Sequence, residues 1–275
     1  MSAVRSILGK SKHWLLSDFR SFKEAPYKRL HAGSDLEKLS IIYPVYVNDQ
    51  EGMNGIARNL LYYNSLSDAV KRKLNLVVVD DCSPVPVSMP DGLNVNHRLV
   101  RIDRDIKWNS GGGKNLGVFC CETSRMITAD IDMLFPEETL ISCMSGQGIS
   151  DRAVYVFDEY LEDNGSWSKY GVHPNCFFMT KAAYLYLNGY DEDFCGHYGD
   201  DLYMNQWINK NMDVYNCGEK MFLTEGVNEV ANKLGRKVGI AVYLLLVKKK
   251  FLPHSKEMLR FPWHLAVSYT HLRAH

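Results

Sequence analysis

Hydrophobic residues along this chain fall into short unbroken runs separated by amphipathic segments, the texture of strands buried on both faces between covering helices. Residues 41–47 (IIYPVYV) and 74–79 (LNLVVV) are two such runs, and both predict parallel strands. Between them, Ile56, Leu60 and Tyr63 share one helical face of 55–66 (GIARNLLYYNSL), which completes a β-α-β unit. A third apolar stretch, 93–102, leads to Gly111-Gly112-Gly113, read as a turn, and then to a helix over 115–121. Residues 124–133 (SRMITADIDM) read as one strand with two acids at its end. Further on, 153–160 and 175–180 (NCFFMT) read as strands and 161–171 (LEDNGSWSKYG) as a polar loop. Residues 181–187 read as a short helix closed by Asn188-Gly189, and 200–209 and 228–246 as helices. This alternation predicts the α/β class, with a Rossmann-like, mostly parallel central sheet flanked by helices.

No internal repeat or low-complexity linker divides the chain, so a single domain is expected over 35–266. Ahead of it, residues 1–34 carry Val4, Ile7, Leu8, Trp14, Leu15 and Phe19 at spacings that suit a docking helix or a partly ordered tail. The ending, 267–275 (VSYTHLRAH), resembles the translation of a transposase adapter from sequencing libraries. It is treated as a scar, and the natural chain is expected to run on past Ala266.

Composition narrows the function. The chain has 275 residues, 46% hydrophobic and 23% charged, which suits a folding protein. Its 32 Lys and Arg match 32 Asp and Glu, so no overall field draws nucleic acid or an anionic membrane. The longest apolar run, 238–247, is too short to span a bilayer and ends at Lys248-Lys249-Lys250. The stretch 233–250 (KLGRKVGIAVYLLLVKKK) suits either a core helix with a solvated end or peripheral contact with a membrane. The N-terminus lacks the apolar core and cleavage site of a secretory signal, so a cytoplasmic location is expected. Seven cysteines contain no Cys-x-x-Cys pair, which argues against zinc or a redox couple.

Four short motifs carry chemistry. In an extended strand Asp130 and Asp132 project to the same side, making a hard-oxygen site for Mg²⁺ or Mn²⁺ whose other ligands are water and a diphosphate. The bland alternative is a solvated turn. Asp80-Asp81-Cys82-Ser83-Pro84 ends an earlier strand, where a carboxylate can accept from a base N–H or a ribose hydroxyl, or can simply cap a turn. The segment 111–117 (GGGKNLG) offers close backbone approach to a phosphate and a cation, Lys114, yet it is neither a P-loop nor a dinucleotide fingerprint. Finally, 188–201 (NGYDEDFCGHYGDD) places Asp200 and Asp201 at a helix start, where one could act as a general base, or where Asp200 caps the helix and Asp201 complements its dipole.

In their order along the chain these motifs resemble family 2 glycosyltransferases of the GT-A, or nucleotide-diphosphosugar transferase, fold. The 188–201 block is also similar to the C-terminal motif of the β-1,4-galactosyltransferase group. The resemblance covers roughly residues 39–202. It implies a metal-dependent transferase moving a sugar from a nucleotide-diphosphate donor, UDP-sugar favoured, to an acceptor hydroxyl. By the same resemblance Asp81 binds the base with Asp80 beside it, and Pro44, Lys114, Asn115 and Asp130 line the donor pocket. Asp132 holds Mn²⁺ or Mg²⁺, with Asp130 and His254 as further candidate ligands. Asp201, or else Asp200, is the base, and an in-line base implies inversion. An acceptor, a glycan or a lipid-linked one, is expected near Trp167, His173, Asn175 and Tyr198. The usual Ala-Arg-Asn is Gly-Lys-Asn here, and the usual Glu-Asp is Asp200-Asp201, which opens the donor's identity and the choice of base. Two rivals remain: a sugar-phosphate nucleotidylyltransferase, for which residues 44–58 lack a glycine-rich, arginine-containing loop, and a catalytically silent saccharide- or partner-binding protein, against which the clustered acids count.

Overall fold

The computed structural model describes residues 25–31, 33, 35–163, 165–197, 199–224, 244, 245, 248, 249 and 252–269. Strand β1 (Leu39–Val45) pairs in parallel with β2 (Leu74–Asp80), in register from Leu39 beside Leu74 to Val45 beside Asp80. Alternate side chains enter two cores, Ile41, Tyr43, Leu76 and Val78 on one face and Ile42, Val77 and Val79 on the other. Burial on both faces is why these runs are unbroken in the sequence. Helix α1 (Gln50–Leu61), N-capped by the Asp49 carboxylate accepting from Gly52 N at 2.9 Å, packs Met53, Ile56 and Leu60 onto the first face. A 3₁₀ turn (Tyr62–Ser65) and the short α2 (Asp68–Lys71) return the chain to β2.

Strand β3 (Asn96–Ile102) joins parallel beyond β2, whereas β4 (Arg125–Thr128) joins parallel on the other side of β1. The order β3-β2-β1-β4 therefore reverses between β1 and β4, and such reversals open a crevice at the strands' carboxyl ends. Helix α3 (Ser110–Cys120) covers the second face through Leu116 and Val118.

The remaining elements are β5 (Met133–Leu134), α4 (Glu137–Ser145), β6 (Ala153–Asp163), β7 (Ser166–Val172), β8 (Phe177–Thr180), α5 (Lys181–Leu187), α6 (Asp200–Asn211), β9 (Asp213–Leu223) and β10 (Trp263–Tyr269). They complete one sheet in the order β10-β3-β2-β1-β4-β8-β6-β9-β5, with β7 paired to β6. This half is mixed: β8 runs against β4 and β6, β10 against β3 and β5 against β9, while β6 and β9 are parallel. Helices cover both faces, α4 through Leu140 and Met144 on the first, α5 and α6 through Tyr184, Leu187, Met204 and Ile208 on the second.

Three expectations change. The glycine triplet is no turn but the first turn of α3. The strand expected over 124–133 ends at Thr128, and the two acids occupy a turn closed by Met133 N donating to Asp130 O at 3.0 Å. The polar loop at 161–171 is a hairpin turning at Gly165, φ +78°, with β7 residues 166–170 exposed on both faces. A strand bathed in solvent on both faces carries no alternation to reveal it. Helix α4 and strands β9 and β10 were not anticipated, and the backbone of 267–269 continues β10 beside Leu99, Arg98 and His97. The proposed 1–34 extension lies outside the described residues up to position 24, as do Tyr198, 270–275 and all but four positions of 233–250. No helix among the described residues is long and apolar enough to cross a membrane.

The glycines of α3 let the helix sit directly on β1. A Cβ at 113 would approach Pro44 Cβ to 2.9 Å, and one at 117 would fall inside the van der Waals envelope of Ile42 Cγ2 and 3.2 Å from Val79 Cγ2. Gly117→Ala is therefore expected to destabilise by about 1–3 kcal/mol, overpacking outweighing alanine's better helix propensity. Thermal unfolding reads the result; an unchanged Tm would mean that α3 has room to lift.

Candidate active site

The crevice between β1 and β4 gathers most of the singled-out residues from separate elements. Pro44 lies near the end of β1 against Gly113, Asp80 ends β2, Asp130 follows β4, and Lys114 and Asn115 sit on α3. Their hydrogen bonds assign them different tasks.

Lys114 is 0% exposed, and its Nζ donates to Asp130 Oδ1 at 2.8 Å and to Asn175 O at 3.1 Å, 5.5 Å from the centre of the Tyr190 ring. Asn115 is likewise saturated: Nδ2 donates to Tyr190 O and Glu192 Oε1, both at 2.9 Å, and Oδ1 accepts from Tyr184 Oη at 2.7 Å and Tyr190 N at 2.9 Å. These two residues, expected to line a donor pocket, tie α3 to Asp130 and to the loop after α5.

Asp80 is spent on the fold. Its Oδ1 accepts from Ser83 N at 2.8 Å and its Oδ2 pairs with Arg101 at the end of β3. Asp81 keeps one oxygen for other use: Oδ1 accepts from Asn109 Nδ2 at 2.9 Å. Burial pushes its carboxyl up to about 8, with Asp80 and Asp105 adding to the rise and Asn109 opposing it.

The acids of the turn behave oppositely. Asp130 is 32% exposed and accepts from Lys114 and, through both oxygens, from Asn175 Nδ2 at 3.0 and 3.1 Å. Desolvation would raise its carboxyl, but Lys114, His173 and Asn175 outweigh it and hold it below the usual carboxylate range. Asp132 is 7% exposed, and its Oδ1 is buried without a hydrogen-bond partner. Burial, then the neighbouring Asp130, push it up to about 7. Its backbone is well held, since Thr224 donates to Asp132 O through N at 2.9 Å and Oγ1 at 3.0 Å, and Asn59 Nδ2 donates to Ile131 O at 3.0 Å.

At the start of α6, Gly199 has φ +115°, a conformation that favours glycine, and the two acids follow in the first turn. Asp200 is buried, and its Oδ1 accepts from Trp108 Nε1 at 2.9 Å. Asp201 is half-buried and its Oδ1 accepts from Leu202 N at 2.8 Å. Burial, then Asp200, raise Asp201 to about 7, and Asp130 and Lys114 act on it as well, so both acid groups share one field.

His173 and Asn175, expected on the acceptor side, stand at Asp130. His173 Nδ1 accepts from Asn175 N at 3.2 Å, which leaves Nε2 to carry the proton 4.0 Å from Asp130 Oδ2. Trp167 lies farther out on β7, 44% exposed, its ring 4.5 Å from that of Phe222. His254 does not join the acids of the turn. It stacks on Trp207 at 4.9 Å and Tyr203 at 5.7 Å, with Nε2 near Asn188 O at 3.2 Å, because the segment after Pro253 packs along α6. Sequence reasoning passed over Trp108, Asn109, Tyr190 and Asn205, which hold Asp200, Asp81, Asn175 and the start of α6. The only signal was the Trp108-Asn109 pair, separated from the triplet by Ser110 alone.

Among the described residues no three His, Cys, Asp or Glu side chains form a metal cluster. The donor set still fits a divalent cation of the kind that takes one or two carboxylates and completes its shell with diphosphate and water, because Asp132 Oδ1 is a buried hard oxygen with nothing else bound to it.

No protein-family profile matches the chain, and no curated protein matches it in sequence. Among solved structures, GalNAc-T7 with UDP, GalNAc and Mn²⁺ superposes with a TM-score of 0.55 at 10% identity, over 78% of this chain and 48% of that one. TarS residues 1–349 from S. aureus in complex with UDP gives 0.49 at 16% identity, over 68% of this chain and 60% of that one. The chain thus spans about half the length of GalNAc-T7 and three fifths of the TarS fragment. The likeness is one of fold, and the fold is GT-A.

Proposed function

We propose that this chain is a glycosyltransferase that moves a sugar from a nucleoside-diphosphate donor, UDP-sugar favoured, to an acceptor hydroxyl with inversion, using Mn²⁺ or Mg²⁺. One observation carries the reading: beside the β1/β4 switch point, Asp132 presents a buried, unpartnered carboxylate oxygen in the same electrostatic field as Asp201 at the start of α6. The GT-A likeness to a protein seen with UDP, GalNAc and Mn²⁺ supports it.

Asp132 holds the cation, which when bound neutralises charge on the leaving diphosphate. Asp81 offers its free oxygen to the base, and Asp130, kept ionised by Lys114, faces the donor ribose. Asp201 takes the acceptor hydroxyl's proton while that oxygen bonds to the anomeric carbon from the face opposite the breaking carbon–oxygen bond to the diphosphate. An acid raised to about 7 suits this task, because it is both ionised and basic near neutral pH. Asp200, bonded to Trp108, is the less available of the two. The acceptor, a glycan either free or lipid-linked, approaches along β7 and the residues after it, from exposed Trp167 through His173 to Asn175 at Asp130.

A donor screen with Mn²⁺ tests the reading by nucleotide release from UDP-, GDP-, CMP- and dTDP-sugars. Release from one nucleotide class, UDP foremost, is the expected result. No donor-dependent release, together with no metal-dependent nucleotide binding, would remove the transferase reading.

A further inference from the structure

Between the donor-side acid and the base runs segment 173–175, tied to both sides. Asn175 Nδ2 bonds both oxygens of Asp130, its Oδ1 accepts from Tyr190 Oη at 2.5 Å, and its carbonyl accepts from Lys114. One residue earlier, Pro174 O accepts from Asn205 Nδ2 at 2.5 Å, and the same amide donates to Asp201 O at 2.7 Å. Asn205 is 3% exposed and its own Oδ1 has no partner, so its buried amide is committed to joining these two carbonyls. Inside the segment, His173 Nδ1 accepts from Asn175 N, which closes it on itself.

We infer that segment 173–175 is a strap that fixes the spacing between Asp130 and Asp201, with Asn175 and Asn205 as positioning residues for the transfer step. The inference rests on Asp201 being the base of the proposed function. Leaving a polar atom of Asn205 unpaired in the interior has a cost, which plain packing by an apolar residue would avoid. A connected polar network, in return, holds a single geometry. In-line displacement needs that geometry, since a shift of about 1 Å between reacting groups costs on the order of 100-fold in rate. Neither asparagine needs to touch the substrate's reacting atoms for this effect.

The test compares Asn175→Ala, Asn205→Ala and the double variant. Transfer kcat is expected to fall by about 100-fold in each single variant. The double variant should be no slower than the slower single one, because both break one strap. The Kd for UDP with Mn²⁺ should stay within about twofold in Asn205→Ala, a split that general unfolding would not give. Losses that multiply in the double variant, or an unchanged kcat in either single one, would overturn the inference. Hydrogen exchange supplies a reading that does not depend on turnover. In Asn205→Ala the amides of Asn175 and Leu202 should exchange faster together, and a change at only one of them, or at neither, would also overturn it. If Asn205→Ala does not fold, Tyr190→Phe loosens Asn175 from its other side, and its kcat must fall. A wild-type protein that transfers from no donor counts against the glycosyltransferase reading itself, while the exchange result still decides the strap.

Discussion

Asp132→Asn is expected to weaken Mn²⁺-dependent binding of UDP by about 100-fold or more and, at the same time, to reduce the dependence of stability on pH. The first effect follows from the unpartnered Oδ1, since no other described side chain offers the cation a free carboxylate in that turn. Loss of supporting groups around a metal commonly costs 10–100-fold in affinity, so loss of the sole strong ligand should cost about 100-fold or more. The second effect has a definite sign. Burial raises the folded carboxyl to about 7, above its value near 3.9 in the unfolded chain, so the folded state binds the proton more tightly. The stability this group contributes is complete below about pH 4 and is lost as pH rises through about 7, on the order of 2 kcal/mol of it between pH 5 and 8. Asparagine cannot ionise, and its share of the slope disappears. Isothermal titration with UDP and Mn²⁺, and Tm without metal at both pH values, measure the two effects. Equal affinities in wild type and variant would remove Asp132 from the metal site.

Asp201→Asn should leave UDP affinity within about twofold and lower transfer by roughly 10²–10⁴, the usual worth of a positioned base. The substitution is nearly isosteric, and the Asn Oδ1 can still accept from Leu202 N, so α6 keeps its start. In the wild type, kcat should rise with pH to a plateau above about 7, where Asp201 is ionised. That limb should be absent from whatever activity the variant retains. Asp200→Asn is the control, because Oδ1 keeps its bond from Trp108 Nε1. A larger loss at 200 than at 201 would exchange their roles.

What could be read from the sequence was decided by where burial leaves a periodic trace. β1 and β2 bury both faces and show unbroken apolar runs, and α5 announces its end through Asn188, which takes the left-handed conformation. The acids at the strand ends were visible because Asp-x-Asp and Asp-Asp stand out after apolar residues. Their division of labour was not. Lys114 and Asp130 are 16 positions apart, and only the descent of α3 onto β1 brings the ammonium to the carboxylate. Asn175 and Asn205 were illegible for the same reason, as each acts through partners on other elements. Strand β7 escaped notice because its exposed faces leave polarity without alternation.

The close seating of α3 on β1 has a mechanical consequence. With hydrogens where side chains would stand at 113 and 117, the helix already rests at its nearest possible distance from Pro44 and Ile42. Nothing compressible separates them. Pressure acts on proteins mainly through internal voids, so it has little purchase on this contact, and the helix that carries Lys114 to Asp130 cannot be pressed closer to the sheet.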